Sequence, residues 1–408
     1  MSSFERELDA GLQQLKDEGL YREMRRIDSG QGPVIASGGK ELLNFSSNDY
    51  LGLANEPALK EAAMRAVESC GTGSGASRLI SGSLGMHHEL EAGLAEFKKT
   101  EAALTFSTGY AAALGTIGAL VGKDDVVVLD KLVHACIVDA ARLSGAKLRI
   151  YAHNQLDELE EILKWSRARN GNGSKSRTLI VTESVFSMDG DHAPLAQLVE
   201  LKERYGAWLM VDEAHATGLY GANRRGLAEE AGVSERIEVQ MGTMGKALGV
   251  SGGYICGCRV LIETLLNRAR TFIFSTAPPP SAAAAALAAI QFVRSKPGAE
   301  RCQALWDRVG ELPSELFPKG LNRKTAILPI MVGDERRAVE CAAALRDRGF
   351  YIPAIRFPTV GRGKARLRLT MTAAHSRSQV GRLVEELRAL HLVSPKPAEA
   401  APDYASVS

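Results

Sequence analysis

Short apolar runs alternate with amphipathic stretches along most of this chain of 408 residues. From about residue 57, runs rich in Val, Ile, Leu and Ala are separated by longer stretches whose apolar residues recur at helical spacing. We predict strands in these runs, at residues 103–107, 126–129, 147–151, 178–183, 208–212, 238–241, 253–256 and 272–275. Because helices separate successive strands, the pattern predicts an α/β fold built on a mostly parallel sheet.

The pattern differs on either side of this region. At the N-terminus, spaced leucines predict an amphipathic helix over residues 4–26, followed by a Gly- and Pro-rich turn and a short strand at 42–45. Toward the other end we predict a long helix at 281–293. Beyond it we expect strands near 327–332, 351–355 and 366–369, alternating with helices at 337–348 and 378–390.

These changes of pattern predict four segments. They are an N-terminal segment (1–56), a large domain (57–285), a small C-terminal α/β domain (286–393) and a tail (394–408). The tail has no apolar periodicity, so we expect it to be disordered.

Composition narrows the class of protein. The net charge is only +2, and the basic residues are scattered, which gives no reason to expect a nucleic-acid or membrane partner. The charged N-terminus lacks a signal-peptide pattern, and no run approaches the roughly 20 apolar residues of a membrane span. The six cysteines are dispersed, and Cys256 and Cys258 stand too close for a zinc knuckle. We therefore expect a cytoplasmic protein with no metal site.

Polar side chains follow two of the predicted strands. Asp212 ends the apolar run WLMVD, and His215 comes three residues later. The run EVQM leads into a Gly-rich loop that contains Thr243 and Lys246. Ligands bind outside the carboxyl ends of strands in open α/β sheets. We therefore expect an acid, an imidazole, a hydroxyl and an amine to share one crevice.

This set matches the needs of pyridoxal phosphate (PLP), which uses a lysine for its Schiff base and an acid at its ring nitrogen. The turn Ser107-Thr108-Gly109-Tyr110 precedes a helix predicted to begin near Ala111, a position that favours a phosphate. His134 is an aromatic side chain that could lie over the cofactor ring. Each feature alone has a simpler explanation: a surface lysine, a strand-end pair, or a histidine that packs or caps a helix. Their joint occurrence favours PLP.

Other motifs do not fit. Gly245-Lys246 is not part of a P-loop, because Gln240 stands where that motif has Gly and Ala247 where it has Ser or Thr. The glycines at 71, 73 and 75 do not form the dinucleotide fingerprint, which argues against a Rossmann dehydrogenase. His87-His88-Glu89 lacks the second histidine of a zincin motif.

The chain resembles the α-oxoamine synthase family of fold-type-I PLP enzymes from residue 4 to about residue 390. The matching runs are NFSSNDYLGL (44–53), GTGSGASRLISG (71–82), ESVFSMDGD (183–191), VDEAHATG (211–218), GTMGKALGVSGGY (242–254) and ARLRLTMTAAH (365–375). The resemblance implies a large PLP-binding domain with a mostly parallel seven-stranded sheet, and a smaller C-terminal α/β domain.

The resemblance also implies roles toward the cofactor. Lys246 would be the Schiff-base lysine, Asp212 the partner of the ring nitrogen and His134 the stacking residue, which also faces the substrate. His215 and Ser187 would lie by the phenolic side of the ring. The phosphate would be held by Gly109, Tyr110 and Thr243, and by Ser275 and Thr276 of the other subunit. The resemblance therefore implies a homodimer with shared active sites.

Substrate contacts follow from the same resemblance. Arg368 would clamp the amino-acid carboxylate, a task that suits a bidentate guanidinium. Arg22, Asn48 and Thr359 match substrate-contacting positions, and Arg356 is a further substrate-side candidate.

The implied reaction is the decarboxylative condensation of an amino acid with an acyl thioester, in which Lys246 acts as a neutral amine and removes the α-proton. The matching runs favour the branch that uses L-alanine and a pimeloyl thioester, carried by CoA or a carrier protein. Ala216-Thr217 departs from the Gly-Thr often found in that branch. The alternative within the family is a glycine-using enzyme such as glycine C-acetyltransferase or 5-aminolevulinate synthase.

Two hypotheses come from other classes. One is an aminotransferase or lyase on the same fold, which would need no thioester. The other is a PLP-binding protein without catalysis, which is disfavoured because Lys246, Asp212, His134 and Arg368 are all present.

Overall fold

A computed structural model describes residues 1–170, 176–317 and 324–392, so the predicted tail lies outside the described residues. The strands are β1 (Val34–Ser37), β2 (Lys40–Asn44), β3 (Ala102–Phe106), β4 (Val126–Asp130), β5 (Lys147–Tyr151), β6 (Thr178–Glu183), β7 (Trp208–Asp212), β8 (Val239–Thr243), β9 (Gly253–Gly257), β10 (Ile327–Gly333), β11 (Phe350–Tyr351), β12 (Ala354–Ile355) and β13 (Ala365–Thr370). The α-helices are α1 (Ser3–Asp17), α2 (Pro57–Cys70), α3 (Gly85–Lys98), α4 (Gly109–Leu120), α5 (Ala135–Leu143), α6 (Leu156–Asn170), α7 (Leu195–Tyr205), α8 (Leu227–Glu230), α9 (Arg259–Arg268), α10 (Arg270–Ile273), α11 (Pro280–Arg294), α12 (Lys296–Gly310), α13 (Glu335–Asp347) and α14 (Arg377–Ala389).

The central sheet has seven strands in the order β3-β9-β8-β7-β6-β4-β5. Strands β4 to β8 run parallel to one another, and β9 is antiparallel to both β3 and β8. Every residue of β4 and β6 is buried. Continuous burial is typical of parallel strands with both sheet faces covered, and it explains why these runs read as uniformly apolar. The predicted α/β class and mostly parallel sheet are confirmed.

Two three-stranded sheets flank this core, with the orders β1-β2-β11 and β10-β13-β12. Strand β2 pairs in parallel with β11, so the N-terminal segment is hydrogen-bonded to a strand more than 300 positions later in the chain. All six residues of β13 are buried, including Arg366 and Arg368. No helix of the described ranges is long and apolar enough to cross a membrane.

The predicted strand at 272–275 is wrong. Phe272 and Ile273 lie in the single-turn helix α10, where Phe272 packs edge-on against Phe106 and the Thr271 hydroxyl donates 2.6 Å to the carbonyl of Ala111. A short apolar run has too few residues for its periodicity to separate strand from helix, and here contacts with α4 and β3 favour the helical turn.

The predicted strand at 351–355 is interrupted. Strand β11 pairs with β2, and β12 pairs with β13 in the other small sheet. Pro353 stands between them and has no N–H to donate to a strand ladder. The segment therefore passes from one sheet to the other.

The N-terminal helix ends at Asp17, nine residues before the predicted end at 26. Gly19 has a φ of +67°, its N–H donates to the carbonyl of Lys16, and the N–H of Leu20 donates to that of Leu15. This is a Schellman motif, which stops a helix where glycine takes a left-handed conformation. The strand β1 that follows was not predicted from the sequence.

Candidate active site

Two acids stand side by side at the carboxyl end of the central sheet. Glu183 ends β6 and lies opposite Asp212, the last residue of β7, in the register of these parallel strands. Both residues are buried, with 2% and 5% of their surface exposed. Strand β8 is the next neighbour, and the loop after it carries Lys246.

The amine of Lys246 faces this pair of strand ends. Its Nζ lies 2.9 Å from Nε2 of His215, and Nδ1 of the same ring lies 2.7 Å from the hydroxyl of Tyr50. Burial lowers the pKa of Lys246, although the charges of Asp212 and Glu183 act against this. Burial, followed by the charge of Lys246, holds the pKa of His215 well below its usual range. Both effects favour a neutral imidazole and an amine that is more easily deprotonated.

Asp212 is a buried acid without a fixed cationic partner at hydrogen-bonding distance among the described residues. One of its oxygens accepts 2.9 Å from the N–H of Ala214. Burial raises the pKa of Asp212, and the charge of Lys246 opposes the rise. A cationic ring nitrogen beside this carboxyl group would supply the missing counter-charge, so the site fits the group that the sequence predicts.

Glu183 differs from Asp212 in its surroundings. Its Oε2 accepts 3.1 Å from the N–H of Ser187, whereas Oε1 is buried and makes no hydrogen bond with the described residues. Burial, followed by the charge of Asp212, raises the pKa of Glu183. Two neighbouring carboxylates repel each other, which favours protonation of one of them. With Glu183 protonated, Asp212 is the anion.

Arg368 is held from three sides. Its Nε donates 2.6 Å to the carbonyl of Ser187, Nη1 donates 3.0 Å to Oδ1 of Asn48, and Nη2 donates 3.3 Å to the hydroxyl of Tyr50. Strand β13 thus delivers a buried guanidinium to the same network as His215 and Lys246. The structure brings Asn48, Ser187, His215, Lys246 and Arg368 into one group of contacts.

The predicted phosphate turn caps a helix. Thr108 is the N-cap of α4, and its hydroxyl accepts 3.0 Å from the N–H of Ala111. Gly109 follows, and a side chain added there would lie 3.6 Å from Cβ of Thr243. Gly253 of β9 must be glycine, because a Cβ at this position would stand 2.5 Å from the carbonyl oxygen of Thr108. Backbone N–H groups at a helix N-terminus and the nearby Thr243 hydroxyl fit a phosphate.

His134 and Tyr110 make local contacts. His134 is the N-cap of α5, where Nδ1 accepts 3.2 Å from the N–H of Cys136. The capping role that its residue type suggested is therefore real, and stacking over a ring stays a prediction. Tyr110 is exposed, and its hydroxyl donates to Asp139.

Arg22, Arg356 and Thr359 form a second group. Nη2 of Arg22 donates 2.9 Å to the carbonyl of Phe357, and Nη2 of Arg356 donates 3.1 Å to that of Tyr21. The N–H of Thr359 donates 3.0 Å to the carbonyl of Arg356. Within the described ranges, no hydrogen bond joins this group to Lys246 or Arg368.

Ser275 and Thr276 lie apart from the other predicted phosphate contacts. Thr276 forms an isolated β-bridge with Ser77, and the N–H of Ala277 donates 3.0 Å to the carbonyl of Ala76. Among the described residues, neither side chain is hydrogen-bonded to Gly109 or Thr243.

Sequence reasoning missed two residues of the site. Tyr50 lies in the run NFSSNDYLGL and Glu183 begins the run ESVFSMDGD, so both were inside matching segments. An acid at the end of an apolar strand was the signal that identified Asp212, and the same signal was present at Glu183. For Tyr50 no local signal exists, because its partner His215 is 165 positions away.

Comparison with known proteins defines the class. The family model for class I and II aminotransferases matches residues 40–387, so the chain belongs to this family. The 8-amino-7-oxononanoate synthase of Anaeromyxobacter dehalogenans is 48% identical over 386 residues, which cover 94% of this chain and 95% of that protein. The enzyme of the same name from Geobacter sulfurreducens is 48% identical over 93% of this chain and 96% of its own length.

Solved structures agree with the fold. Serine palmitoyltransferase from S. paucimobilis, with a bound PLP–myriocin aldimine, superposes with a TM-score of 0.87 at 30% identity, covering 95% of this chain and 98% of that one. The 8-amino-7-oxononanoate synthase of Francisella tularensis gives a TM-score of 0.70 at 26% identity, covering 86% and 99%. The predicted family and the fold-type-I class are confirmed.

Proposed function

We propose that this chain is an 8-amino-7-oxononanoate synthase, a PLP-dependent enzyme that condenses L-alanine with a pimeloyl thioester and releases CO2 in biotin biosynthesis. The observation that carries the proposal is the contact of Lys246 Nζ with His215 Nε2 at 2.9 Å, next to the buried Asp212. Curated relatives of this name, 48% identical over 94% of the chain, agree with the activity and cofactor predicted from the sequence.

The residues present suit PLP. When bound, PLP supplies an electron sink for bond breaking at the α-carbon of the amino acid. Asp212 would hold a negative charge at the ring nitrogen, and Gly109, Tyr110 and Thr243 would bind the phosphate at the start of α4. His134, His215 and Ser187 would contact the ring and its phenolic oxygen.

Lys246 is suited to two tasks, holding the cofactor and moving a proton. An ordinary lysine is protonated at neutral pH and is then a poor base. Burial lowers the pKa of Lys246, and the neutral His215 can exchange a hydrogen bond with Nζ. A neutral amine in this position can accept the α-proton of the amino acid and later return it.

Arg368 suits the amino-acid carboxylate. Three fixed hydrogen bonds to Ser187, Asn48 and Tyr50 orient its guanidinium before any substrate arrives. Such preorganisation lowers the entropy lost on binding and fixes the angle of the α-carbon bonds. Asn48, which accepts from Arg368, would be a further contact to the substrate.

The acyl thioester suits the cavity of about 340 Å³ that is lined by Arg22, Arg25, Arg346 and Arg356. Burial, followed by the charge of Arg22, lowers the pKa of Arg356, so two like charges stand near each other. An anionic part of the acyl donor would relieve their repulsion. Thr359, on the same loop as Arg356, would be a further contact.

A homodimer with shared active sites is part of the proposal. Ser275 and Thr276 would reach the phosphate of the other subunit. Phe274 beside them is 70% exposed and lines one cavity with Leu143, which is 75% exposed. Large apolar side chains left at a surface favour a protein contact. A fully active monomer in light scattering would contradict the shared site.

The six cysteines are free, which supports a reducing, cytoplasmic location.

The test is thiol release by the PLP-loaded protein with L-alanine or glycine, each offered with pimeloyl-CoA, acetyl-CoA and succinyl-CoA. We expect release with L-alanine and pimeloyl-CoA. Release with glycine and a short acyl-CoA instead would move the chain to a glycine-using sister enzyme. Turnover of an amino acid with a keto acid, without thiol release, would indicate an aminotransferase.

A further inference from the structure

A histidine outside the predicted site is held between two acids. Nδ1 of His153 donates 2.9 Å to Oδ1 of Asp130, and Nε2 donates 2.6 Å to Oδ2 of Asp191. Asp130 is fully buried, and the imidazole is 24% exposed. The ring also packs edge-on against Phe186, with the ring centres 4.3 Å apart. His153, Asp130 and Asp191 are not among the residues expected to contact the cofactor or the substrate.

Asp130 is hydrogen-bonded to the loop that leads to His134. Asp130 ends β4, and its Oδ1 also accepts 2.8 Å from the N–H of Leu132. Its Oδ2 accepts 2.8 Å from the N–H of Asn154, the residue after His153. Asp130 therefore sets the path of residues 131–134 relative to the end of β5.

The second acid belongs to the loop that carries Ser187. Residues 184–192 form a closed loop, with a β-bridge between Val185 and His192 and a 2.9 Å hydrogen bond from the N–H of Phe186 to the carbonyl of Asp191. Inside this loop, Ser187 is bonded through its N–H to Glu183 and through its carbonyl to Arg368. The loop is thus anchored to the site on one side and to His153 on the other.

We propose that His153 is a positioning residue that joins the loop of His134 to the loop of Ser187 and so sets the distance between two groups that contact the cofactor. The inference rests on the proposed function for the identity of that cofactor. The imidazole of His153 is charged at neutral pH. Burial alone lowers its pKa, but the hydrogen bonds to Asp130 and Asp191 outweigh this effect and raise the pKa to about 10. Both ring nitrogens therefore donate at neutral pH.

Removing the imidazole would leave both acids without their shared cation. Asp130 would keep its two backbone N–H donors, whereas Asp191 would keep, among the described residues, the weaker contact from the side chain of Asn154, at 3.4 Å. The carboxylate of Asp191 is 29% exposed, so without its charged partner it would turn toward water. The two loops would then be free to shift relative to each other.

The test compares His153→Gln with a matched control, Arg177→Gln. Arg177 pairs with Asp125 at 2.7 Å at the opposite ends of the same strands, β4 and β6. Hydrogen exchange of the cofactor-free protein reports on the loops without any assumption about activity. In His153→Gln, amides of residues 131–134 and 184–192 should exchange at least about 10-fold faster than in the wild type. In Arg177→Gln both segments should keep wild-type rates.

A second readout uses the cofactor. The visible circular dichroism of bound PLP reports the orientation of its ring, and we expect a weaker or altered band in His153→Gln and no change in Arg177→Gln. If His153→Gln fails to fold, Asp191→Asn is the milder change, with smaller effects on the same two segments. Wild-type exchange in both loops, or faster exchange in only one, would overturn the proposal. Failure of the thiol-release assay would leave the exchange result standing.

Discussion

The hydroxyl of Tyr50 lies 2.7 Å from Nδ1 of His215, on the far side of the ring from Lys246. Because Arg368 donates to the phenolic oxygen, the hydroxyl proton is left for Nδ1 or for Oδ1 of Asn48 at 3.2 Å. When the hydroxyl donates a hydrogen bond to Nδ1, that nitrogen is the acceptor and the ring hydrogen is on Nε2. Nε2 then donates to a neutral Lys246. Tyr50 thus influences the proton position at the reacting amine through His215.

Tyr50→Phe should lower kcat by about 10- to 100-fold with the fold retained, because two buried groups, His215 and Arg368, lose a hydrogen-bond partner. Steady-state kinetics checks this. The matched control is Tyr220→Phe, which removes a 2.8 Å hydrogen bond to the carbonyl of Lys324 and leaves the contacts of His215 and Arg368 with Tyr50 in place. A Tyr50→Phe enzyme with kcat within about two-fold of the wild type would contradict the role.

Asp212→Asn should raise the dissociation constant of PLP by about 10- to 100-fold. Asparagine has nearly the same shape as aspartate, but it leaves the ring nitrogen without a charged partner. Glu183→Gln should have a smaller effect, since the raised pKa of Glu183 already favours its neutral form. Absorbance titration of the cofactor-free variants measures both constants. An equal or larger loss in Glu183→Gln would contradict the assignment of the charge to Asp212.

A buried ion pair behind the site should matter for stability. Lys98 and Glu213 are each 1% exposed, their side chains are in direct contact, and Lys98 also donates 2.5 Å to the carbonyl of Arg225. Lys98→Met leaves Glu213 unpaired and should lower the free energy of unfolding by about 3–5 kcal/mol. Urea denaturation measures the loss. Adding Glu213→Gln should recover part of it, and Lys164→Met, which removes an exposed pair, should have no measurable effect.

Two histidines should affect the pH dependence of stability in opposite ways. The pKa of His153 is raised to about 10, so its stabilising contribution is complete below its unfolded pKa of about 6.5 and is lost as the pH rises through 10. Burial lowers the pKa of His375 to about 4, so its contribution is complete above 6.5 and is lost as the pH falls through 4. Melting temperatures of His153→Gln and His375→Gln from acid to alkaline pH check both signs. A wild-type advantage over His153→Gln that grew between pH 7 and 10 would contradict the first.

The sequence predicted the parts of the fold that have a strong local cause. Strands β4, β6 and β7 are apolar runs between helices, and they were predicted to within one residue. The strand predicted around Phe272 was wrong because four residues carry too little periodicity. The strand predicted at 351–355 is interrupted at Pro353 because the residues on either side of it pair with different sheets. These outcomes depend on tertiary partners that a local pattern does not contain.

The residues of the site also differ in whether a local sequence signal could identify them. Asp212, His215 and Lys246 were predicted because each follows a strand end, and adjacent strand ends meet at one edge of the sheet. Tyr50 and His153 could not be found by that reasoning, since their roles depend on contacts with residues far away in the chain. The placement of Arg22 and Arg356 also required the structure, which ties each to the backbone of the other's segment.

The central claim is that PLP is held by Lys246. The direct measurement is borohydride reduction of the PLP-loaded protein, followed by peptide mass spectrometry. We expect one modified peptide, which contains Lys246. In Lys246→Ala the corresponding peptide should be unmodified, and the protein should lose the visible cofactor absorbance and turnover. Modification at a different lysine, or a Lys246→Ala protein that keeps the absorbance and substantial turnover, would contradict it.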